Sequence, residues 1–397
     1  MMRRILSLSH PKHSARHACT PGVHRHFSSN SPVDLRSDTV TRPSPEMLRA
    51  MMEAPTGDDV MMEDPTVTKL ETVMADMFGK QASLFFPSGT MSNLCALLAH
   101  CNERGSEIIS GADSHITTYE AGGCATLGGI HNRQVLEGAD GTLALEDIAR
   151  MVRDTDVHHP TTAVVCLENT HNIRGGVPLS KSYVDAVGNF CSSKGLPLHV
   201  DGARVFNASA ASGVDVGSLC AGADSVSVCL SKGLGTPLGS VLVGSEELIY
   251  RARRARKSVG GGMRQAGIVA AAGLHALQGA ESSSSLGSSL GCAHVERLGV
   301  DHAFAQELGQ RLTAAGYVLP HGPVHTNIVY FYPPAGSPVG VDALPDFVKK
   351  HFGVLCGGGY GGGSLVRVVL HRDIDLAGVE RAAQAFEAAM LEKARVC

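Results

Sequence analysis

Short apolar runs alternate with stretches of helical periodicity along most of the chain, a pattern that predicts a layered α/β fold. One helix is marked at both ends. Asp64 is a capping residue before Pro65, the first helical position, and Gly79 follows the last apolar position of the helix. Continuous β-branched runs between helices are typical of a mostly parallel sheet covered on both faces. The strands predicted in this way are residues 82–86, 162–167, 198–200, 225–230 and 240–243, with helices over 90–99 and 183–194 between them.

A serine-rich segment divides the pattern towards its end. Residues 281–293 are of low complexity and are expected to form a surface insertion. The segment predicts a large domain over residues 34–280 and a smaller α+β domain over residues 294–397.

Composition and charge exclude several classes of protein. The net charge of −4 gives no electrostatic footprint for nucleic acid. The chain lacks a run of about 18 apolar residues, so no membrane span is expected. The 11 cysteines are scattered without CxxC or Cys/His spacing, which argues for reduced thiols and predicts no metal site.

The first 33 residues differ in composition from the rest. They carry five Lys or Arg residues, five histidines and several serines, and the first acid is Asp34. An Arg-rich, Ser-rich, acid-poor start is typical of a mitochondrial transit peptide, and we expect cleavage near Ser28 and a matrix location. A disordered basic tail on a cytoplasmic protein is the alternative.

Polar groups stand at four positions where a strand is expected to end. In open parallel sheets, ligands bind outside these carboxyl ends of the strands. Lys232 ends a buried apolar run; it is either solvated or a nucleophile whose pKa is lowered by burial, as Schiff-base chemistry requires. Asp201 follows another run and is a helix cap, a metal ligand or the partner of a heteroaromatic cation. His115 is either structural or a ring that stacks on a planar cofactor.

The fourth position is the turn Ser88-Gly89-Thr90, which leads directly into a helix. It is either a capped turn or an anion site, because backbone amides at a helix start bind a phosphate. A lysine, an aspartate, a stacking ring and a phosphate turn together predict a site for pyridoxal 5'-phosphate, in which the aspartate keeps the ring nitrogen protonated.

Several long sequence motifs resemble those of a known family. The chain resembles the low-specificity L-threonine aldolases, pyridoxal-phosphate enzymes of the aspartate-aminotransferase fold (fold-type I), from about Asp34 into the C-terminal region. The motifs are Asp34-Leu-Arg-Ser-Asp-Thr-Val-Thr-Arg-Pro43, Gly57-Asp-Asp-Val60, Glu168-Asn-Thr-His171, Asp201-Gly-Ala-Arg204, Ser231-Lys-Gly-Leu-Gly235 and Gly260-Gly-Gly-Met-Arg-Gln265.

The resemblance implies roles for individual residues. Lys232 is expected to bind the cofactor aldehyde, and Ser37 and Arg367 the substrate carboxylate. The remaining implied cofactor contacts are Asp201 at the ring nitrogen, His115 stacked on the ring, Arg204 beside it, Ser88, Gly89 and Thr90 at the phosphate, and Arg264 at the phosphate of a neighbouring subunit.

The implied reaction is a retro-aldol cleavage of the Cα–Cβ bond of L-threonine or L-allo-threonine, which yields glycine and acetaldehyde. His115 is the first candidate for the base that takes the β-hydroxyl proton, and His158 is the second. The resemblance also implies a homotetramer with shared active sites.

One departure from the family pattern concerns the substrate side-chain pocket. Met61 and Met62 stand where the family commonly has Tyr-Gly. Two other functions therefore stay open, a β-eliminating lyase on the same fold and a catalytically weak relative that only binds the cofactor.

Overall fold

A computed structural model describes residues 31–278 and 293–391 of the chain. Almost all of the predicted transit peptide (residues 1–30) and of the serine-rich insertion lies outside the described residues. Both expectations therefore stay predictions from the sequence.

The strands, numbered in chain order, are mostly short and buried. They are β1 (Val33–Asp34), β2 (Ala82–Phe86), β3 (Ser106–Gly111), β4 (His131–Val135), β5 (Thr161–Glu168), β6 (Leu198–Asp201), β7 (Ser225–Cys229), β8 (Ser240–Gly244), β9 (Ile328–Phe331), β10 (Val354–Leu355), β11 (Gly357–Gly359) and β12 (Leu365–Val369).

The helices, numbered in the same way, alternate with the strands of the large sheet. They are α1 (Pro45–Met52), α2 (Pro65–Phe78), α3 (Gly89–His100), α4 (His115–Thr118), α5 (Gly123–Thr126), α6 (Leu145–Met151), α7 (Lys181–Ser193), α8 (Val205–Ser212), α9 (Val216–Leu219), α10 (Glu246–Ser258), α11 (Gly267–Gln278), α12 (Ala293–Ala314), α13 (Leu344–Phe352), the single turn α14 (Tyr360–Gly363) and α15 (Leu376–Leu391).

Seven strands form the large sheet, in the order β2-β8-β7-β6-β5-β3-β4. Only β8 runs antiparallel to its neighbours, so β2, β3, β4, β5, β6 and β7 all end at one edge of the sheet. The predicted fold class is thereby confirmed. The predicted strands agree with β2, β5, β6, β7 and β8 to within a residue or two.

The helix predicted from its end signals is α2. The Asp64 carboxylate accepts hydrogen bonds from the amides of Thr66 and Val67, and Gly79 ends the helix at φ +59°, where a side chain is disfavoured. Leu70 and Met74 lie on its fully buried face. The position of α2 against the sheet thus follows from its sequence pattern.

A smaller antiparallel sheet, in the order β11-β12-β9, has its own apolar core with α12, α13 and α15. The segment 33–40, called here the N-terminal arm, joins this part through the parallel pairing of β1 with β10. The described residues from Pro32 onward form one compact unit, and the predicted domain boundary stays a prediction. Among the described residues, no helix is long and apolar enough to cross a membrane.

Candidate active site

A cavity of about 210 Å³ opens at the edge of the large sheet where the parallel strands end. The N-terminal arm, the segments after β3, β5, β6 and β7, and the smaller sheet all contribute to its walls. The lining residues are Ser37, Thr39, His115, Tyr119, Asn172, Arg204, Lys232, Tyr360 and Arg367.

Lys232 lies in a tight turn directly after β7. Its carbonyl oxygen accepts hydrogen bonds from the Gly235 amide (2.9 Å) and from the Thr41 hydroxyl (3.3 Å). Gly235 has φ +77°, a conformation that favours glycine, so the turn depends on this residue. The backbone of Lys232 is thus held in place while its side chain lines the cavity.

Asp201 is the last residue of β6 and is buried. Its carboxylate accepts hydrogen bonds from the Asn93 side-chain amide (2.9 Å) and the Ala203 backbone amide (3.1 Å). Both donors are neutral, so they orient the carboxylate without neutralising its charge. A buried negative charge of this kind attracts a protonated ring nitrogen.

His115 begins α4, and its Nδ1 lies 2.9 Å from a Glu120 carboxylate oxygen. Burial disfavours the charged ring, but this hydrogen bond and the nearby carboxylates of Asp201 and Glu120 outweigh it and raise the pKa of His115. Because Nδ1 is engaged with Glu120, Nε2 is the nitrogen that is available to the cavity. The pairing therefore orients the ring and increases its basicity.

The ligand atoms of His115, Glu120 and Asp201 lie within 4.8 Å of one another, an arrangement that could hold a metal ion. The same Asn93 amide group donates to both carboxylates, at 2.8 Å to Glu120 and 2.9 Å to Asp201. Burial raises the pKa of Glu120, and the hydrogen bonds from His115 and Asn93 act against that rise. These contacts join the three side chains in one hydrogen-bond network.

Arg204 forms a bidentate ion pair with Asp38, with both N–O distances 2.7 Å. Burial opposes ionisation of Asp38, but the Arg204 guanidinium beside it outweighs burial and holds the pKa of that carboxyl well below its usual range. The pair joins the N-terminal arm to the end of β6. Arg204 therefore positions the arm as well as lining the cavity.

Arg367 projects into the cavity from β12 of the smaller sheet. Its Nη1 donates to the Asn172 side chain and its Nη2 to the Arg36 carbonyl, each at 3.1 Å. Its Nε is buried without a hydrogen-bond partner in the described structure. Ser37, in the N-terminal arm, lines the same cavity. A guanidinium and a hydroxyl placed together in this way match a carboxylate.

The Ser88-Gly89-Thr90 turn forms the start of α3. The Ser88 hydroxyl accepts a hydrogen bond from the Met91 amide, while Ser88 and Thr90 are exposed. A Cβ at Gly89 would lie 2.7 Å from the Cys229 sulfur, so only glycine lets α3 approach the end of β7 this closely. The turn thus adjoins the strand that leads to Lys232.

Six predicted site residues do not line the cavity of their own chain: Asp201, Ser88, Gly89, Thr90, Arg264 and His158. The last two also lie away from the groups described above. Arg264 is 57% exposed and pairs with Asp58 at 2.8 Å. His158 is 84% exposed, pairs with Asp156, and precedes β5, whereas the cavity lies beyond the far end of that strand. His158 thus lies at the amino end of β5, away from the cavity of its own chain, and its role as the second candidate base stays a prediction from the resemblance.

The departure at Met61 also lies elsewhere. Met61 and Met62 are 62% and 68% exposed and do not line the cavity. The aromatic residues that do line it are Tyr119 and Tyr360. The effect of Met61 and Met62 on the substrate side-chain pocket stays open.

Sequence reasoning missed several residues of the site. Asp38 lies in the motif at residues 34–43, and Glu120 lies five residues after His115. An acidic residue close to a predicted site residue was therefore the signal that could have identified both. Tyr360 is a lone aromatic between two runs of three glycines, which was a second signal. Asn93 carried none, because its partners are 27 and 108 residues away.

Comparisons with known proteins agree with this geometry. The family model for beta-eliminating lyases matches residues 34–334. Low-specificity L-threonine aldolase 1 of Arabidopsis thaliana is 43% identical over 362 residues, covering 90% of this chain and 96% of its own. The low specificity L-threonine aldolase of Escherichia coli K12 is 48% identical over 284 residues, covering 72% and 80%. This chain belongs to the beta-eliminating lyase family and, within it, to the low-specificity L-threonine aldolases.

Solved structures show the same fold. The threonine aldolase of Leishmania major superposes with a TM-score of 0.75 at 17% identity, over 90% of this chain and all of the other. A serine palmitoyltransferase of Sphingomonas wittichii superposes with a TM-score of 0.68 at 18% identity, over 90% and 87%. The family expected from the sequence is confirmed.

Proposed function

We propose that the protein is a pyridoxal-phosphate-dependent aldolase that cleaves L-threonine and L-allo-threonine to glycine and acetaldehyde. The observation that carries this proposal is one cavity lined by Lys232, His115 and Arg367. These side chains supply a nucleophilic amine, a base and a carboxylate ligand, which are the protein groups that the reaction needs.

The described residues fit the cofactor. Asp201 is a buried carboxylate whose hydrogen-bond donors are neutral, which suits a pyridinium nitrogen. The amides at the start of α3, with Ser88 and Thr90, suit its phosphate. Lys232 suits its aldehyde. When bound, the cofactor supplies an electron sink for the pair released at Cα.

The substrate is held by its carboxylate between Arg367 and Ser37. Asn172 and the Arg36 carbonyl keep the guanidinium fixed, so the carboxylate binds in one orientation. Correct orientation can lower the barrier by several kcal/mol. The β-hydroxyl group then faces the ring of His115.

His115 is the base in this proposal. Its Nε2 takes the β-hydroxyl proton as the Cα–Cβ bond breaks, and Glu120 stabilises the resulting imidazolium through Nδ1. A general base contributes about 10²–10⁴-fold to the rate. Because the ring must be neutral to accept the proton, activity rises with pH through the pKa of His115.

The test is product analysis with purified protein and L-threonine, L-allo-threonine and their D isomers. The expected products from the L substrates are glycine and acetaldehyde; ammonia and a keto acid would instead establish a β-eliminating lyase. Lys232→Ala is expected to lose turnover and the visible absorbance of bound cofactor, while Lys194→Ala at an exposed lysine keeps both. Normal turnover by Lys232→Ala would overturn the mechanism.

The proposed assembly is a homotetramer with shared active sites. In support, Arg264 is exposed and does not line the cavity of its own chain, as an arginine that serves a neighbouring subunit must be. The mass of the purified protein in solution tests the oligomeric state, and a mass of four chains is expected. Mixing Lys232→Ala and Arg264→Ala subunits tests the sharing: activity regained in the mixture is expected, and no regain counts against it.

The proposed location is the mitochondrial matrix, with removal of a transit peptide near Ser28. The acid-free, Arg-rich and Ser-rich start supports it. N-terminal sequencing of the native protein is expected to begin near Ser28. A start at Met1 or Met2 would contradict the proposal.

A further inference from the structure

The face of β6 and β7 that packs against α3 is polar, although it is buried. His199 and Asp201 are two residues apart on β6, so their side chains lie on the same face of the sheet. Ser225 of β7 is the strand partner of His199, and Asn93 of α3 contacts both residues of β6. At most 2% of each of these four residues is exposed. Buried polar groups are costly unless they are hydrogen-bonded, which restricts the directions of the bonds between them.

The Asn93 side chain is engaged at both ends of its amide group. Its Nδ2 donates to Asp201 at 2.9 Å and to Glu120 at 2.8 Å, which uses both amide hydrogens. Its Oδ1 lies 3.2 Å from Nε2 of His199. The reverse orientation would place the amide oxygen against two carboxyl groups and would lose both of these bonds. Nε2 of His199 therefore carries the hydrogen that Oδ1 accepts.

His199 is neutral, so only one of its ring nitrogens carries a hydrogen. Burial lowers the pKa of His199 to about 4, although the nearby Asp201 carboxylate opposes this. With the hydrogen on Nε2, Nδ1 is an acceptor, and the Ser225 hydroxyl at 2.8 Å donates to it. The Ser225 oxygen accepts in turn from Nε2 of His100, also at 2.8 Å. Every hydrogen bond from His100 to the carboxyl groups thus runs in the same direction.

We infer that His199 is a positioning residue for the cofactor: its Nε2–H holds the Asn93 amide in the orientation that donates to both carboxyl groups. The inference rests on the proposed aldolase function and adds to it a residue that lines no part of the cavity. Asp201 thereby keeps a neutral donor, and its negative charge stays available to the ring nitrogen of the cofactor.

Loss of the Nε2 hydrogen would act on the cofactor end of the site. The Asn93 oxygen would be buried without a donor, so the amide would no longer be held in one orientation. With the amide turned, Asp201 would face an oxygen and would pair less well with a protonated ring nitrogen. Arg367, which is proposed to hold the substrate carboxylate, is bonded to other groups, so substrate binding should change little.

The experiment compares His199→Leu and His199→Gln with the unmodified holoenzyme on L-threonine. Leucine cannot donate to Asn93, whereas the glutamine amide can donate to Asn93 through its nitrogen and accept from Ser225 at its oxygen. His199→Leu is expected to lower kcat about 10-fold or more and to leave KM within about twofold. His199→Gln is expected to keep kcat within about threefold of the original.

Two measurements do not depend on turnover. Titration of apoenzyme with pyridoxal phosphate is expected to show about 10-fold weaker binding to His199→Leu than to His199→Gln. Neutron diffraction from crystals of the unmodified holoenzyme locates the exchangeable hydrogens, and we expect one on Nε2 of His199 and none on Nδ1. This second measurement decides the inference even if His199→Leu does not fold.

His302 on α12 provides the matched control. It is also buried, burial lowers its pKa to about 4, and its Nε2 is hydrogen-bonded to an asparagine, Asn207, at 3.1 Å. This pair has no contact with the Asn93 amide. His302→Leu and His302→Gln are therefore expected to agree in kcat and in cofactor affinity within about twofold.

A hydrogen on Nδ1 of His199 would overturn the inference, and so would equal kcat and equal cofactor affinity in His199→Leu and His199→Gln. Absence of threonine cleavage by the unmodified protein would instead overturn the proposed function. The cofactor titration and the hydrogen positions would still decide the role of His199.

Discussion

The 2.9 Å contact between His115 Nδ1 and Glu120 decides which nitrogen of the imidazole faces the cavity. It also couples the base to a buried carboxylate whose charge favours the imidazolium form. Asn93 extends the coupling to Asp201, because its amide donates to both carboxylates. One small hydrogen-bond network thus joins His115, the proposed base, to Asp201, the carboxylate proposed to pair with the cofactor's ring nitrogen.

Replacing Glu120 with glutamine is expected to lower kcat by about 10-fold, because the imidazole becomes a weaker base. The carboxylate raises the pKa of His115, so its loss lowers that pKa. The acidic limb of the pH–rate profile should therefore move to lower pH. The matched control is Glu146→Gln at an exposed position. A limb that stays in place would show that His115 is not the titrating base.

At the residue scale, the sequence predicted the groups that follow strands and missed the groups that support them. Lys232, Asp201 and His115 could be found because a polar residue after an apolar run is visible locally. Glu120 and Asn93 could not be assigned, since their roles depend on partners brought close only by the fold. The position of His158 was also invisible in the sequence, because a motif match does not say at which end of a strand a residue lies.

At the scale of elements, the approach of α3 to β7 shapes the part of the site that is proposed to hold the cofactor phosphate. Gly89 permits this approach, since the Cys229 sulfur occupies the space where a side chain would begin. The start of a helix binds an anion through its free amides only if the anion can come close to the backbone. Cofactor affinity should therefore depend on this packing.

Gly89→Ala is expected to weaken cofactor binding about 10-fold or more, because its Cβ forces α3 away from β7. The measurement is titration of apoenzyme with pyridoxal phosphate, followed by its visible absorbance. Gly89→Ala combined with Cys229→Ala removes the clashing sulfur and should recover most of the affinity. If the double variant stays as weak as the single one, the new methyl group itself obstructs the phosphate and the packing account fails.

At the scale of the whole molecule, the Asp38–Arg204 pair connects the N-terminal arm with the large sheet across 166 residues of sequence. Both side chains are buried, so each depends on the other for compensation of its charge. The sequence predicted the α/β fold class from its periodicity. It did not predict that the arm pairs with β10, because a two-residue strand leaves no periodic signal.

Asp38→Asn is expected to lower the free energy of unfolding by about 3–5 kcal/mol, because it leaves the buried Arg204 charge without its partner. Denaturant unfolding of the two proteins at one pH measures the change. Asp34→Asn breaks a pair with Arg36, which is 55% exposed, and should cost about 1 kcal/mol or less. Equal losses in the two variants would contradict the account of the buried pair.

The contact between Arg367 and the Arg36 carbonyl spans 331 residues, and it has a consequence for synthesis. A nascent chain folds from its N-terminus as it emerges, and contacts between distant positions form last. The sheet that presents Lys232 is complete once β8 has emerged, whereas the arm has to wait for β10 and β12. The part of the cavity proposed to bind the substrate carboxylate therefore assembles only after translation is almost finished, and we expect a growing polypeptide to have no turnover.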